Sequence, residues 1–126
     1  MFAALNPPHR CVVVAEENGK LIDVVNVSPS SDSPADVMEL AFLHVLPEHQ
    51  GRGIGSALLA EAQRIGQSGG FRHAVVWVVD SHYAARNFYE RRGWVHTGES
   101  VRRTGSGWSV EELRYRLAFT EVRPTK

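Results

Sequence analysis

The chain has little to hold it together covalently and no excess of either charge: it contains one cysteine, and its fourteen basic residues are matched by fourteen acidic ones. A lone thiol forms no internal disulfide. Cys11 sits in the apolar run Cys11-Val12-Val13-Val14-Ala15, which reads as a buried strand and not as a nucleophile's setting. Charge balance removes the field that would gather nucleic acid or an anionic membrane surface, so neither is expected as a partner. No apolar run approaches the roughly 20 residues of a membrane span, and the first residues lack the basic flank and apolar stretch of an export signal. These absences point to a reducing cytoplasm. His9, His44, His49, His73, His82 and His96 show no metal-ligand spacing, so no structural metal is expected.

What is present is an ordinary globular composition, with 43% hydrophobic and 22% charged residues in 126. That length has room for one domain, residues 1–126, around one core. Cys11–Ala15 and Leu21–Val27 are β-branched runs joined through Asn18-Gly19, a pair that readily takes positive φ and predicts a hairpin. After the breaker-rich stretch 28–34, Val37–Leu46 reads as a third strand. Its alternation slips between Leu40 and Leu43, which predicts a β-bulge near Ala41-Phe42. From Gly53 the spacing turns helical and ends before Gly69-Gly70, and Ala74–Val79 is a continuous apolar run of the kind buried in a parallel sheet. A second helix is expected from about Tyr83 to Arg92, capped by Asp80 or Ser81 and stopped by Gly93. Trp94–Val101 and Val110–Phe119 read as a closing antiparallel pair across a Gly/Ser-rich connection.

Gln50-Gly51-Arg52-Gly53-Ile54-Gly55-Ser56 lies between a strand and an apolar helix. There the first-turn N–H groups have no intrahelical partner, the helix dipole adds positive potential, and glycines let a phosphate come close. The same glycines would equally serve a tight turn and nothing more. Among phosphate-binding readings, a Walker loop needs a Gly-Lys pair, and no lysine is near. A dinucleotide fingerprint spaces its glycines more widely, although Asp80 follows the next strand.

The run Leu43-His44-Val45-Leu46-Pro47-Glu48-His49-Gln50-Gly51-Arg52-Gly53-Ile54-Gly55 resembles the acetyl-CoA motif of the GNAT N-acetyltransferase family, Gln/Arg-x-x-Gly-x-Gly after a Leu-x-Val-x-Pro strand. His82-Tyr83-Ala84-Ala85-Arg86-Asn87-Phe88-Tyr89-Glu90-Arg91-Arg92-Gly93-Trp94 resembles the family's second motif, in the right order and spacing. The resemblance implies an α/β fold: a mixed, centrally splayed sheet with helices on both faces, in three layers. It implies acetyl-CoA as acyl donor and direct transfer to an amine in a ternary complex. A non-catalytic acyl-CoA-binding module is the alternative, and a nucleotide-dependent enzyme using the same turn is a third.

By the same resemblance Leu43 and Val45 would pair with the pantetheine arm through main-chain atoms. Gln50, Gly51, Arg52, Gly53, Ile54, Gly55 and Ser56 would hold the diphosphate, and Asn87 would touch the cofactor. Tyr89 would protonate the leaving thiolate, although an aromatic pair such as Phe88-Tyr89 also suits helix-to-sheet packing. Glu39 would be the general base, against water or a merely solvated glutamate, with Asp80 and His82 as lesser candidates. Arg102, Arg103 and Trp108 lie in the last connection, where members often contact the acceptor.

The chain departs from the family in three ways. Its start is expected at or just before the second strand, with Phe2–Leu5 as the one candidate remnant of the last missing helix, which would leave an edge at Cys11–Ala15 open to pairing with a second copy. His82 replaces the usual asparagine. Trp77 stands where the ribosomal-protein acetylases carry a glutamate base, which argues against that subgroup.

Overall fold

Asn18 and Gly19 both take positive φ, 53° and 76°, which closes a two-residue hairpin whose twist suits its strands. The hairpin joins β2 (Cys11–Glu17) to β3 (Lys20–Pro29). The computed structural model describes residues 2–5, 11–29, 36–44 and 53–119. The remaining elements are β1 (Phe2–Leu5), β4 (Val37–His44), α1 (Ile54–Ser68), β5 (His73–Val79), α2 (Tyr83–Glu90), β6 (Val95–Gly105) and β7 (Trp108–Ala118). They form one mixed sheet in the order β1-β2-β3-β4-β5-β7-β6, with β4 and β5 its parallel pair.

Phe2–Leu5 is a strand and not a helix remnant. It pairs antiparallel with β2 from Phe2↔Ala15 to Leu5↔Val12 and so covers the edge expected to be open. Cys11 lies in β2, although its side chain falls outside the described atoms. The bulge expected in the third strand is also not there: β3 and β4 keep an unbroken register from Asp23↔His44 to Pro29↔Met38. Leu40 is buried and Ala41 exposed because successive strand residues face opposite sides, so a shift in hydrophobic parity needs no extra residue. Irregularities fall instead at Ala15/Glu16 and between His96 and Ser100.

The core lies on one face of this sheet. Val13, Val25, Val27, Met38, Leu40, Ala74, Val76, Val78, Leu113 and Tyr115 point there and meet Leu58, Leu59, Ala62 and Ile65 of α1 and Tyr89 of α2. Both helices therefore sit on the same face, and among the described residues the expected second helical layer is not found. Topology gives the reason. The β4–α1–β5 and β5–α2–β6 crossovers move across the sheet in the same direction, and right-handed crossovers that do not reverse direction lay their helices on one side. The other face carries half-buried Val12, Val14, Val24, Trp77 and Val79.

Each helix ends on glycine. After α1, Gly70 (φ 94°) allows Phe71 N–H to reach Gly66 O at 3.0 Å, and after α2, Gly93 (φ 90°) allows Trp94 N–H to reach Tyr89 O at 3.1 Å. The cap of α2 is His82 rather than Asp80 or Ser81: its Nδ1 accepts from Ala85 N–H at 3.3 Å. A histidine thus supplies the acceptor that asparagine, aspartate or serine more often provides at a helix start. β6 and β7 run longer than expected, and their connection shrinks to Ser106-Gly107.

Candidate functional site

β4 and β5 pair from Val37↔His73 to Leu40↔Val76 and then part. Beyond that rung Ala41–His44 continue to pair with β3, while Trp77–Val79 continue to pair with β7. The sheet is therefore split at its centre. Among the described residues, ladder groups of β4 and β5 that look into the gap have no strand opposite them, and backbone donors and acceptors so placed suit an extended, amide-bearing ligand.

A β-to-α connection leaves its strand at the C-terminal end, so α1 begins on the edge where the strands diverge. Gly53 precedes it with φ 75° and ψ 8°, no side chain caps the helix, and its first turn holds no carboxylate. The N–H groups of Ile54, Gly55 and Ser56 are left for an anion by the geometry of any helix start. Gly53 is required by its backbone conformation and not by crowding, since a Cβ there would meet nothing within 4 Å. Gly55 approaches α2, where an added Cβ would lie 4.0 Å from the Phe88 ring. Ile54 packs against the core. Ser56 Oγ accepts from Arg92 Nη2 at 3.1 Å and Nε at 3.3 Å.

The other sequence-derived candidates divide between the two faces. Tyr89, on the helical face, is buried, with Phe88 at 5.2 Å, Trp94 at 5.3 Å and Tyr115 at 6.4 Å between ring centroids. Burial holds its hydroxyl well above the ordinary tyrosine value, and the carboxylate of Asp23 pushes the same way. Asn87 is exposed on α2. Glu39 is half-buried and alternates with Met38 and Leu40, so it points to the face opposite α1 and α2, beside Val75 and one rung before the strands part. Leu43 is in the diverging part of β4, paired with Val24. Val45, Gln50, Gly51 and Arg52 lie outside the described residues.

Three residues escaped the sequence reading. Asp23 is a buried carboxylate inside the run Leu21–Val27, and its inward parity with Val25 and Val27 was the available signal. Tyr115 donates to Glu90 Oε2 at 2.6 Å and accepts from Arg86 Nε at 3.2 Å, fastening α2 to β7. Arg92 joins α2's end to α1's start, and nothing in its local sequence says so. Of the lesser candidates, Asp80 is bound to Arg86 at 3.3 Å and His82 is spent on the cap. Arg102 and Arg103 pair with Glu111 and Glu112 at 3.0 and 2.9 Å, whereas Trp108 is exposed near the hairpin tip. Among the described residues no cluster of histidine, cysteine or carboxylate side chains could hold a metal ion, and no helix is long and apolar enough to cross a membrane.

The model of the acetyltransferase (GNAT) family matches residues 2–94. This chain belongs to the GNAT family. Among curated relatives, N-acetyltransferase family 8 member 3 of Rattus norvegicus is 31% identical over 97 residues, covering 75% of this chain and 42% of the relative. An uncharacterized N-acetyltransferase of Archaeoglobus fulgidus is 33% identical over 104 residues, covering 80% of this chain and 66% of that protein. The chain thus spans less than half the length of the rat relative. An acetyltransferase from Salmonella typhimurium, solved with its cofactor acetyl-CoA, shares the GNAT fold with a TM-score of 0.76 at 20% identity, over 93% of this chain and 69% of that one.

Proposed function

We propose that this GNAT chain is an acetyl-CoA-dependent N-acetyltransferase, with the donor lying in the gap between β4 and β5 and its diphosphate at the start of α1. The observation that carries the reading is the parting of the two strands beyond Leu40 and Val76, on the edge where a carboxylate-free helix start follows a left-handed glycine. The acetyl-CoA bound to the Salmonella typhimurium neighbour supports the same donor.

The thioester supplies an activated acetyl carbon. Main-chain amides of the diverging β4 edge hold its carbonyl and steady the charge that grows on oxygen during attack. The gap opens toward both faces, with Glu39 on one and Tyr89 on the other. Glu39 takes a proton from the acceptor ammonium, so the nitrogen lone pair is free to attack the acetyl carbon. As the carbon–sulfur bond breaks, the Tyr89 hydroxyl gives its proton to the leaving thiolate and regains one from solvent. Base and acid on opposite sides of the sheet suit a displacement in which the nucleophile enters where the leaving group is not.

Thermal shift with acetyl-CoA, CoA and NAD, followed by CoA-thiol release with a panel of amines, tests the proposal. Stabilisation by the first two alone, together with thiol release, is the expected result. Binding without turnover on any amine would make the chain an acyl-CoA-binding module, and no shift with CoA would remove the reading altogether.

A further inference from the structure

Among the described residues, Arg92 is held by neutral groups alone. Its guanidinium lies 3.8 Å above the Phe88 ring, Nη1 donates to Phe88 O at 2.9 Å, and Nη2 and Nε donate to Ser56 Oγ. Arg64, Arg86, Arg102, Arg103 and Arg114 each face a carboxylate, but no ion pair is made by Arg92 among the described residues. Its location is shared between two helix ends: the last carbonyls of α2, reached through Phe88 O, favour a cation, whereas the first turn of α1 does not. Ser56 is in the first turn of α1, where the helix dipole is positive and which itself holds no acidic residue. The guanidinium thus adds positive charge beside first-turn N–H groups that have no intrahelical partner, so an anion arriving at that point meets both.

We infer that Arg92 binds a phosphate group of the coenzyme A donor, completing with the first-turn amides of α1 a site to which the two helices contribute one cationic and one dipolar half. The inference rests on the proposed acetyl-CoA reading and names a ligand contact outside the glycine turn. The ring stack and the carbonyl bond orient the planar guanidinium in advance, so little side-chain freedom is lost when the phosphate docks. The remaining face of Arg92 is exposed to solvent and open to the ligand.

Calorimetric titration of the parent, Arg92→Met and Arg92→Glu with CoA, 3′-dephospho-CoA and pantetheine tests the inference. Arg92→Met should weaken CoA about tenfold or more and reduce the salt dependence of binding, with pantetheine unaffected. A loss equal for CoA and dephospho-CoA identifies the diphosphate as the bound group, and a loss confined to CoA identifies the 3′-phosphate. Arg92→Glu should abolish CoA binding, because it sets a carboxylate where the phosphate docks. The inference is overturned if Arg92→Met binds CoA as the parent does, or if pantetheine weakens by the same factor. Failure of the parent itself to bind CoA would instead remove the acetyl-CoA reading, and this inference with it.

Discussion

The indole of Trp94 meets the ring of Tyr89 edge-on, with centroids 5.3 Å apart and planes at 71°, across the turn that ends α2. The contact follows from the backbone. Trp94 N–H bonds to Tyr89 O because Gly93 adopts φ 90°, and this glycine-ended helix stop characteristically seats the residue after the glycine on the one five positions before it. The Tyr-Glu-x-x-Gly-Trp run therefore both stops the helix and buttresses the residue proposed to meet the thiolate. Trp94→Ala should destabilise the fold by about 3–5 kcal/mol in urea melts, and Trp94→Phe by much less. If the alanine variant unfolds at the parent's urea midpoint, the buttress is not a support.

The pH dependence of Tyr89 has a definite sign. Its hydroxyl is raised by burial first and by Asp23 second, from an ordinary value of about 10. Above that pH the unfolded chain has released a proton that the folded chain still holds. The contribution is thus complete below about pH 10 and disappears as pH climbs toward the folded value. Stability measured between about pH 9 and pH 11 should fall less steeply in Tyr89→Phe than in the parent. At neutral pH the same variant should lose about a hundredfold in kcat with KM for acetyl-CoA unchanged, as expected when a proton donor acts only in the transition state.

Gly53 separates backbone strain from steric bulk, because a side chain there meets open space while φ is 75°. Asparagine tolerates the left-handed region and valine does not. Gly53→Asn should keep the acetyl-CoA thermal shift, whereas Gly53→Val should lose it through about 1–3 kcal/mol of local strain at the helix start. Equal shifts in the two variants would mean that the turn conformation is irrelevant to binding.

Gly66 poses the opposite case. A methyl there would overlap the Met38 thioether, at the point where α1 lies on β4. Alanine favours a helix over glycine by about 1 kcal/mol, but overpacking a filled core costs about 1–3 kcal/mol, so Gly66→Ala should come out destabilised. In a Met38→Ala background the same change should turn stabilising. A double-mutant cycle with a coupling energy near zero would show that Met38 simply moves aside.

Local chemistry alone settled several features of this protein. The Asn18-Gly19 hairpin, the α1 stripe from Leu58 to Ile65, the buried run in β5 and the glycine stops are each decided by residues within a few positions of one another, through φ preference or hydrophobic period. The two motifs likewise carry the family's pattern within the sequence itself. Parity was misread where Leu40 and Leu43 differ, because a strand flanked on two sides can present apolar groups to either face without a bulge.

Tertiary structure decided what pairs with what. That Phe2–Leu5 joins the sheet, that both helices share one face, and that β4 leaves β5 after Leu40 depend on strand order and crossover hand, which short-range patterns do not encode. The interactions of Asp23 with Tyr89, Tyr115 with Glu90 and Arg92 with Ser56 join residues 66, 25 and 36 positions apart, and charge and hydrogen bonding act through space rather than along the chain. Sequence determined the elements and their family; only folding brought Arg92 to the positive end of a helix.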